Sequence, residues 1–179
     1  MDMSLWKESD KFLKTHPEIE ERNRRESALR IKTETELIRK AYCLSKNAHK
    51  GQVDKAGRDY FLHPCVVAGN VHTVNEKVVA LLHDVVEDTE VSLQDLEDAG
   101  FPRVIVDAVD AITKRAGEAY DKYIERVKNN RIALIVKISD MQHNSDISRI
   151  KDPKEEDYER VKKYRTKIHE LTAHLYSCL

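Results

Sequence analysis

The chain has 179 residues, 40% apolar and 35% charged, with 31 Lys and Arg against 32 Asp and Glu for a formal net charge of −1. A chain of that size fits one domain with a buried core, and its near-neutral balance argues against a dedicated nucleic-acid binder, which carries a basic excess or stripe. Cys43, Cys65 and Cys178 are odd in number and widely spaced, so they suggest neither a disulfide framework nor a CxxC metal knuckle. Reduced thiols in a cytoplasmic protein are the expectation. Residues Met1 to Lys7 lack the basic-then-apolar order of a secretory leader, and no apolar run approaches membrane-spanning length, so no membrane partner is expected.

From Glu18 to Lys50 the chain is rich in Glu, Arg, Lys, Leu and Ala, with Ile31, Leu37, Ile38, Ala41, Tyr42 and Leu44 near helical spacing, which predicts one long solvated helix or a pair. Gly51 to Tyr60 has two glycines and little periodicity and reads as a loop. Helices are then predicted from Pro64 to about Val74, Glu76 to Asp88, Ser92 to Ala99, Pro102 to about Lys114, Glu118 to Lys128 and Arg131 to about Ile150. A last helix is capped by Asp152-Pro153. Ser92 with Asp95 caps the short helix and Gly100 ends it. Ile132 to Ile138 is rich in β-branched residues, yet Ala133, Leu134 and the surrounding helices favour helix over strand. The fold class predicted is all-α, a single-domain helical bundle. Within it, residues 1–40 form an N-terminal helical extension, a dimerisation arm or a cover for the core, and residues 41–179 form the domain proper.

The most informative stretch is Ala80-Leu81-Leu82-His83-Asp84-Val85-Val86-Glu87-Asp88-Thr89. Four groups able to bind metal or protons sit inside an apolar helix pattern, and burying such groups is costly unless they are paired or coordinated. On a continuous helix His83 would stack over Glu87 and Asp84 over Asp88. Two further segments bear on this one. Phe61-Leu62-His63-Pro64 sets a His at a helix start, and Val136-Lys137-Ile138-Ser139-Asp140 sets an Asp inside an apolar segment. Taken alone, His63 reads equally as a helix cap, His83 with its neighbouring acids as a solvated face, and Asp140 as a partner of Lys137 or Arg131.

In the order His, His-Asp, Asp these residues resemble the HD superfamily of metal-dependent phosphohydrolases. His49-Lys50-Gly51-Gln52 with Lys55, Gly57, Tyr60 and His63-Pro64 is similar to the start of its alarmone-hydrolase branch, which is related to the RelA/SpoT enzymes. Leu81-Leu82-His83-Asp84, Glu87-Asp88-Thr89, Thr113-Lys114 and Lys137-Ile138-Ser139-Asp140 with His143-Asn144 continue the match over residues 40 to 150. The resemblance implies an HD-type bundle in which His63, His83, Asp84 and Asp140 hold one divalent transition metal, Mn²⁺ in most such hydrolases. Two imidazoles and two carboxylates suit Mn²⁺, Fe²⁺, Co²⁺ or Zn²⁺ by ligand type. It further implies Glu87 and Asp88 as the acids that take a proton from water. Lys55 and Asn144 are substrate contacts by resemblance; Lys50 and Arg58 are cations of the same loop able to face a polyphosphate. Its substrate would be a phosphorylated nucleotide, a (p)ppGpp-like alarmone losing its 3′-pyrophosphate. The 179 residues leave no room for a nucleotidyl-transfer domain beside the HD domain, so hydrolysis alone is expected.

Two positions depart from the pattern. Asp54-Lys55-Ala56 stands where the branch has Arg-Lys-Ser or Arg-Lys-Thr, which replaces a flat stacking cation by a carboxylate. Met141 stands where a basic residue often follows the last metal Asp. The alternatives are therefore a hydrolase of a deoxynucleotide, a nucleoside monophosphate or NADPH, a nucleotide-binding HD module without turnover, and a helical scaffold.

Overall fold

The computed structural model describes residues 17–150 and 152–177. The N-terminal residues read for a leader, and Cys178, lie outside the described residues. The elements in chain order are α1 (Pro17–Ala48), α2 (Leu62–Gly69), α3 (Val74–Leu82), α4 (Val85–Asp88), α5 (Leu93–Asp98), α6 (Arg103–Ile112), α7 (Tyr120–Lys128), α8 (Arg131–Asn144), a 3-10 turn (Ile147–Arg149) and α9 (Glu155–Ser177). The described residues contain no strand. Val53 and Asp59 alone form an isolated antiparallel bridge across the loop before α2. The architecture is all-α, as the periodicity predicts.

The chain divides into two units, residues 1–37 and 38–179. The described part of the first is largely exposed, Leu29 and Ile31 included. Ion pairs three or four residues apart line it, among them Glu21 with Arg24 and Arg25, Arg22 with Glu26, and Arg30 with Glu34. Exposed pairs of this kind contribute only about 0.3–0.5 kcal/mol each, so the high helix propensity of Glu, Arg and Leu carries this stretch.

The second unit is organised around α8, which packs against α2, α3, α6, α7 and α9. Ala133, Leu134, Val136, Ile138 and Met141 of α8 are buried with Val78, Val79 and Leu82 of α3 and Ile105, Val109 and Ile112 of α6. Burying each Leu or Ile stabilises by roughly 1.5–3 kcal/mol. The β-branched run at Ile132–Ile138 is helical because α8 lies at the centre and is covered on several sides, so its apolar residues need not keep to one stripe. Asn130 starts it by accepting the Ala133 N–H at 3.0 Å.

Several boundaries differ from the sequence reading. The second helix ends at Gly69 rather than Val74, because Thr73 and Glu76 form a reciprocal capping box that opens α3 at Val74. The helix predicted over Glu76–Asp88 is broken: α3 ends at Leu82 and α4 begins at Val85. An unbroken ladder would pair the Ala80 carbonyl with the Asp84 N–H. Instead the ring of His83 engages that carbonyl through Nδ1 at 2.7 Å. The polar face imagined on one continuous helix is thus a bend, with His83 and Asp84 at its corner. α8 stops at Asn144 rather than Ile150, because Asp146 accepts the Ser148 N–H at 3.0 Å and turns the chain into the 3-10 segment. α9 opens at Glu155, with the Asp157 carboxylate accepting the Lys154 N–H at 3.0 Å, and not at Asp152-Pro153. No described helix is long and apolar enough to cross a membrane.

Candidate metal centre

His63 in the first turn of α2, His83 and Asp84 at the bend after α3, and Asp140 in α8 converge inside the second unit. One ligand atom each of His63, His83 and Asp140 lies within 4.8 Å of the others, and all three residues are buried. Nε2 of His63 is 3.2 Å from Oδ1 of Asp140, and Nε2 of His83 is 3.8 Å from the same oxygen. Asp84 is close to both rings, its Oδ2 lying 3.0 Å from His83 Nε2 and 3.5 Å from His63 Nε2. The remaining lone pairs are held from outside. Tyr60 donates its hydroxyl to Asp84 Oδ2 at 2.6 Å, Asn144 donates to Asp140 Oδ1 at 2.6 Å, and the Lys137 ammonium donates to Asp140 Oδ2 at 2.9 Å.

These residues fit a divalent cation. A carbonyl can only accept, so His83 donates its Nδ1–H to Ala80, and whenever the ring is neutral the lone pair of Nε2 faces the cluster. That nitrogen is buried and has no hydrogen-bond partner, although two carboxylates stand close by. A buried nitrogen left this way costs about 1–3 kcal/mol unless something else takes the lone pair. Ring N–H to backbone carbonyl, with the other nitrogen free, is the arrangement that orients metal-binding histidines.

The charges respond to this crowding. For His83, burial disfavours the imidazolium, but the carboxylates of Asp84 and Asp140 outweigh it and raise the pKa to about 10 without an ion. Burial would raise Asp140, yet Lys137 and the two imidazoles hold it well below the carboxylate range. For Asp84 the neighbouring histidines likewise overcome burial and lower it. The Glu87 and Asp88 carboxyls, though solvent-accessible, are pushed up by partial desolvation, with the charge of Asp84 adding to the shift in both. They hold a proton more readily than ordinary acids.

Two cavities border the cluster and share Tyr60, Asn144 and Tyr164 in their walls. One, of about 270 Å³, is lined by His83, Asp84, Asp140 and Glu87 with the cations Lys114 and Lys137. The other, of about 410 Å³, is lined by His63, Asp54, Lys55, Ala56, Arg149 and Arg160 among others.

Curated proteins are similar to this chain in sequence. The bifunctional (p)ppGpp synthase/hydrolase SpoT of Escherichia coli K12 is 29% identical over 122 residues, covering 60% of this chain and 17% of that protein. A guanosine-3′,5′-bis(diphosphate) 3′-pyrophosphohydrolase of Vibrio cholerae is 36% identical over 83 residues, covering 44% of this chain and 12% of that protein. Among solved structures, a metazoan ortholog of SpoT that hydrolyses ppGpp superposes with a TM-score of 0.62 at 21% identity, covering 78% of this chain and 85% of that one. This chain resembles SpoT-type (p)ppGpp hydrolases. The structural likeness establishes a shared helical fold, and the chain spans 17% or less of the length of the two curated relatives named above. No protein-family model matches it.

Against that SpoT resemblance the sequence-derived site residues fall into three groups. His63, His83, Asp84 and Asp140 come together. Glu87 lines the smaller cavity and accepts the Lys114 N–H at 2.8 Å, while Asp88 is exposed one residue on, its carbonyl accepting from Gln52 at 3.0 Å. Lys55 and Asn144 line cavity walls, but Lys50 is exposed in the turn after α1 and lines neither cavity. Arg58 is drawn to Asp54, 3.5 Å away. The sequence reading assigned no role to Tyr60, His143 or Arg149. His143 Nδ1 lies 2.6 Å from His63 Nδ1, and Arg149 joins His143 to Asp54. Tyr60 and His143 stood in the matched motif, and that was the available signal; Arg149 carried none.

Proposed function

We propose that this chain is an HD-type metal-dependent phosphohydrolase that removes the 3′-pyrophosphate of (p)ppGpp-like alarmones, its catalytic domain spanning residues 41–179 with 1–40 as a helical extension. The observation that carries the reading is the convergence of two imidazole nitrogens and two carboxylates, one nitrogen buried without a partner, between two cavities. The curated relatives named as 3′-pyrophosphohydrolases support the substrate class.

His63, His83, Asp84 and Asp140 would hold the metal, for which Mn²⁺ is our assignment. A divalent ion there supplies Lewis-acid polarisation of a phosphoryl oxygen and makes water a better nucleophile. The chain's own residues do the rest. Lys137 and Asn144 fix the Asp140 carboxylate, and Tyr60 fixes that of Asp84. Glu87, which lines the smaller cavity, and Asp88 beside it, both with raised pKa values, would accept the proton of the attacking water and return it to the leaving group. Lys114 and Lys137 set positive charge along the smaller cavity, where a diphosphate would lie, and the larger cavity has room for a nucleoside.

The test is a panel of (p)ppGpp, deoxynucleoside triphosphates, nucleoside monophosphates and NADPH with Mn²⁺, scored for phosphate and pyrophosphate release. The proposal expects pyrophosphate from (p)ppGpp with the highest kcat/KM. Turnover of another member alone would reassign the substrate, and saturable binding with no turnover of any member would make the chain a binding module.

A further inference from the structure

The ring of His63 differs from that of His83 in what fixes it. His83 leans on a carbonyl, which can only accept. His63 places Nδ1 against another imidazole nitrogen, Nδ1 of His143, at 2.6 Å. The ring centroids are 4.9 Å apart and the ring planes lie 19° from parallel. Between two such nitrogens either ring can be the donor. If His143 donates, neutral His63 must carry its proton on Nε2, 3.2 Å from Asp140 and facing the metal cluster, where it blocks a cation. If His63 donates, the neutral ring leaves Nε2 as a free lone pair. The pair alone does not decide between these states.

Arg149 decides it. Its Nη1 lies 3.0 Å from the same His143 Nδ1 and 3.2 Å from the His143 carbonyl oxygen. A guanidinium has no acceptor and keeps its charge at all ordinary pH, so it forces Nδ1 of His143 to be the lone-pair nitrogen. The only donor role left at the His63–His143 contact belongs to His63. Arg149 is held in turn by Asp54, whose Oδ2 accepts from Nη2 at 3.0 Å. The same carboxylate accepts backbone N–H bonds from Ala56 and Arg58 at 2.9 Å, which fixes it in the loop before α2. The chain Asp54, Arg149, His143, His63 therefore runs from the wall of the larger cavity to the cluster through groups 95, 6 and 80 residues apart.

We infer that Arg149 is a positioning residue that, through His143, holds His63 in the tautomer whose Nε2 faces the metal, with Asp54 anchoring Arg149. This rests on the reading of the cluster as a metal centre, but the tautomer itself can be observed without any metal. The acid at position 54, which departs from the alarmone-hydrolase pattern, thereby gains a use: its charge is spent on Arg149 rather than presented to a ligand.

The experiment is long-range ¹H–¹⁵N correlation NMR of the imidazoles in the metal-free full chain in mildly alkaline buffer, with Mn²⁺ affinity measured by calorimetry on the same preparations. Wild type should show His63 protonated on Nδ1 and His143 unprotonated on Nδ1. Arg149→Met should let His143 donate, move the His63 proton to Nε2 in a large fraction of molecules, and weaken Mn²⁺ binding about 10- to 100-fold. Arg149→Lys keeps a donor that cannot accept and should restore both the tautomer and most of the affinity. A wild-type spectrum with the proton on His143 Nδ1 would overturn the inference whether or not the variants fold. So would an Arg149→Met protein with an unchanged tautomer. Wild type that shows the expected tautomer but binds no Mn²⁺ would instead overturn the metal reading and leave the positioning role standing.

Discussion

The His63–His83–Asp84–Asp140 cluster and the larger cavity beside it are built from different kinds of sequence information. Every side chain of the cluster comes from a short word in which a polar residue interrupts an apolar pattern: His63 before Pro64, His83-Asp84 after Leu81-Leu82, Asp140 after Ile138-Ser139. The cost of burying such groups makes them stand out in the amino-acid sequence itself. The cavity wall includes Asp54, Arg149 and Arg160, ordinary charged residues whose meaning lies in whom they touch. Composition and spacing expose conflicts with burial. They do not expose ion pairs closed across 95 residues.

That contrast can be broken most forcefully at Asp140. Asp140→Ala removes a carboxylate shared by two imidazoles, Asn144 and Lys137. It should abolish measurable Mn²⁺ binding in calorimetry and, by leaving the part-buried Lys137 unpaired, lower stability by about 3 kcal/mol in denaturant titrations. An alanine protein that binds Mn²⁺ as wild type does would place the ion elsewhere. Next in size is Asp88→Ala, which touches no group of the cluster directly. It should lower kcat about 100-fold or more while Mn²⁺ affinity changes by less than tenfold, and unchanged turnover would take Asp88 out of the mechanism.

A smaller effect concerns the support of α3. The Glu76 carboxyl would be raised by burial, but the N–H groups of Thr73 and His72, each donating at 3.0 Å, hold it below its ordinary 4.5. A depressed folded-state pKa contributes stability that is present above the unfolded value and lost as pH falls through the folded one. Glu76→Gln should therefore cost about 1 kcal/mol at neutral pH. The gap to wild type should close below pH 4.5, the ordinary value it starts from. A gap that stays constant with pH would mean that the charge of the carboxylate is not what stabilises the box.

How much was legible follows the same division. The helices and the Ser92–Asp95 cap were readable because local pattern and local chemistry agree there. The Thr73–Glu76 box carried its signature in the sequence as well, and the helix limits at Val74 and Glu76 passed over it. The bend at His83–Asp84 was not readable: the apolar run continues through Val85 and Val86, and the break depends on a ring taking a carbonyl in its own preceding turn. His143 and Tyr60 stood in recognisable motifs, but their partners lie 80 and 24 residues away, so motif position showed their importance without their task.

The central claim is that a divalent ion sits among His63, His83, Asp84 and Asp140. Metal analysis after equilibrium dialysis against Mn²⁺, run side by side on wild type and His83→Ala, tests it directly. The account predicts one tightly held ion per wild-type chain and none in the variant; an ion retained by the variant, or absent from both, would contradict it.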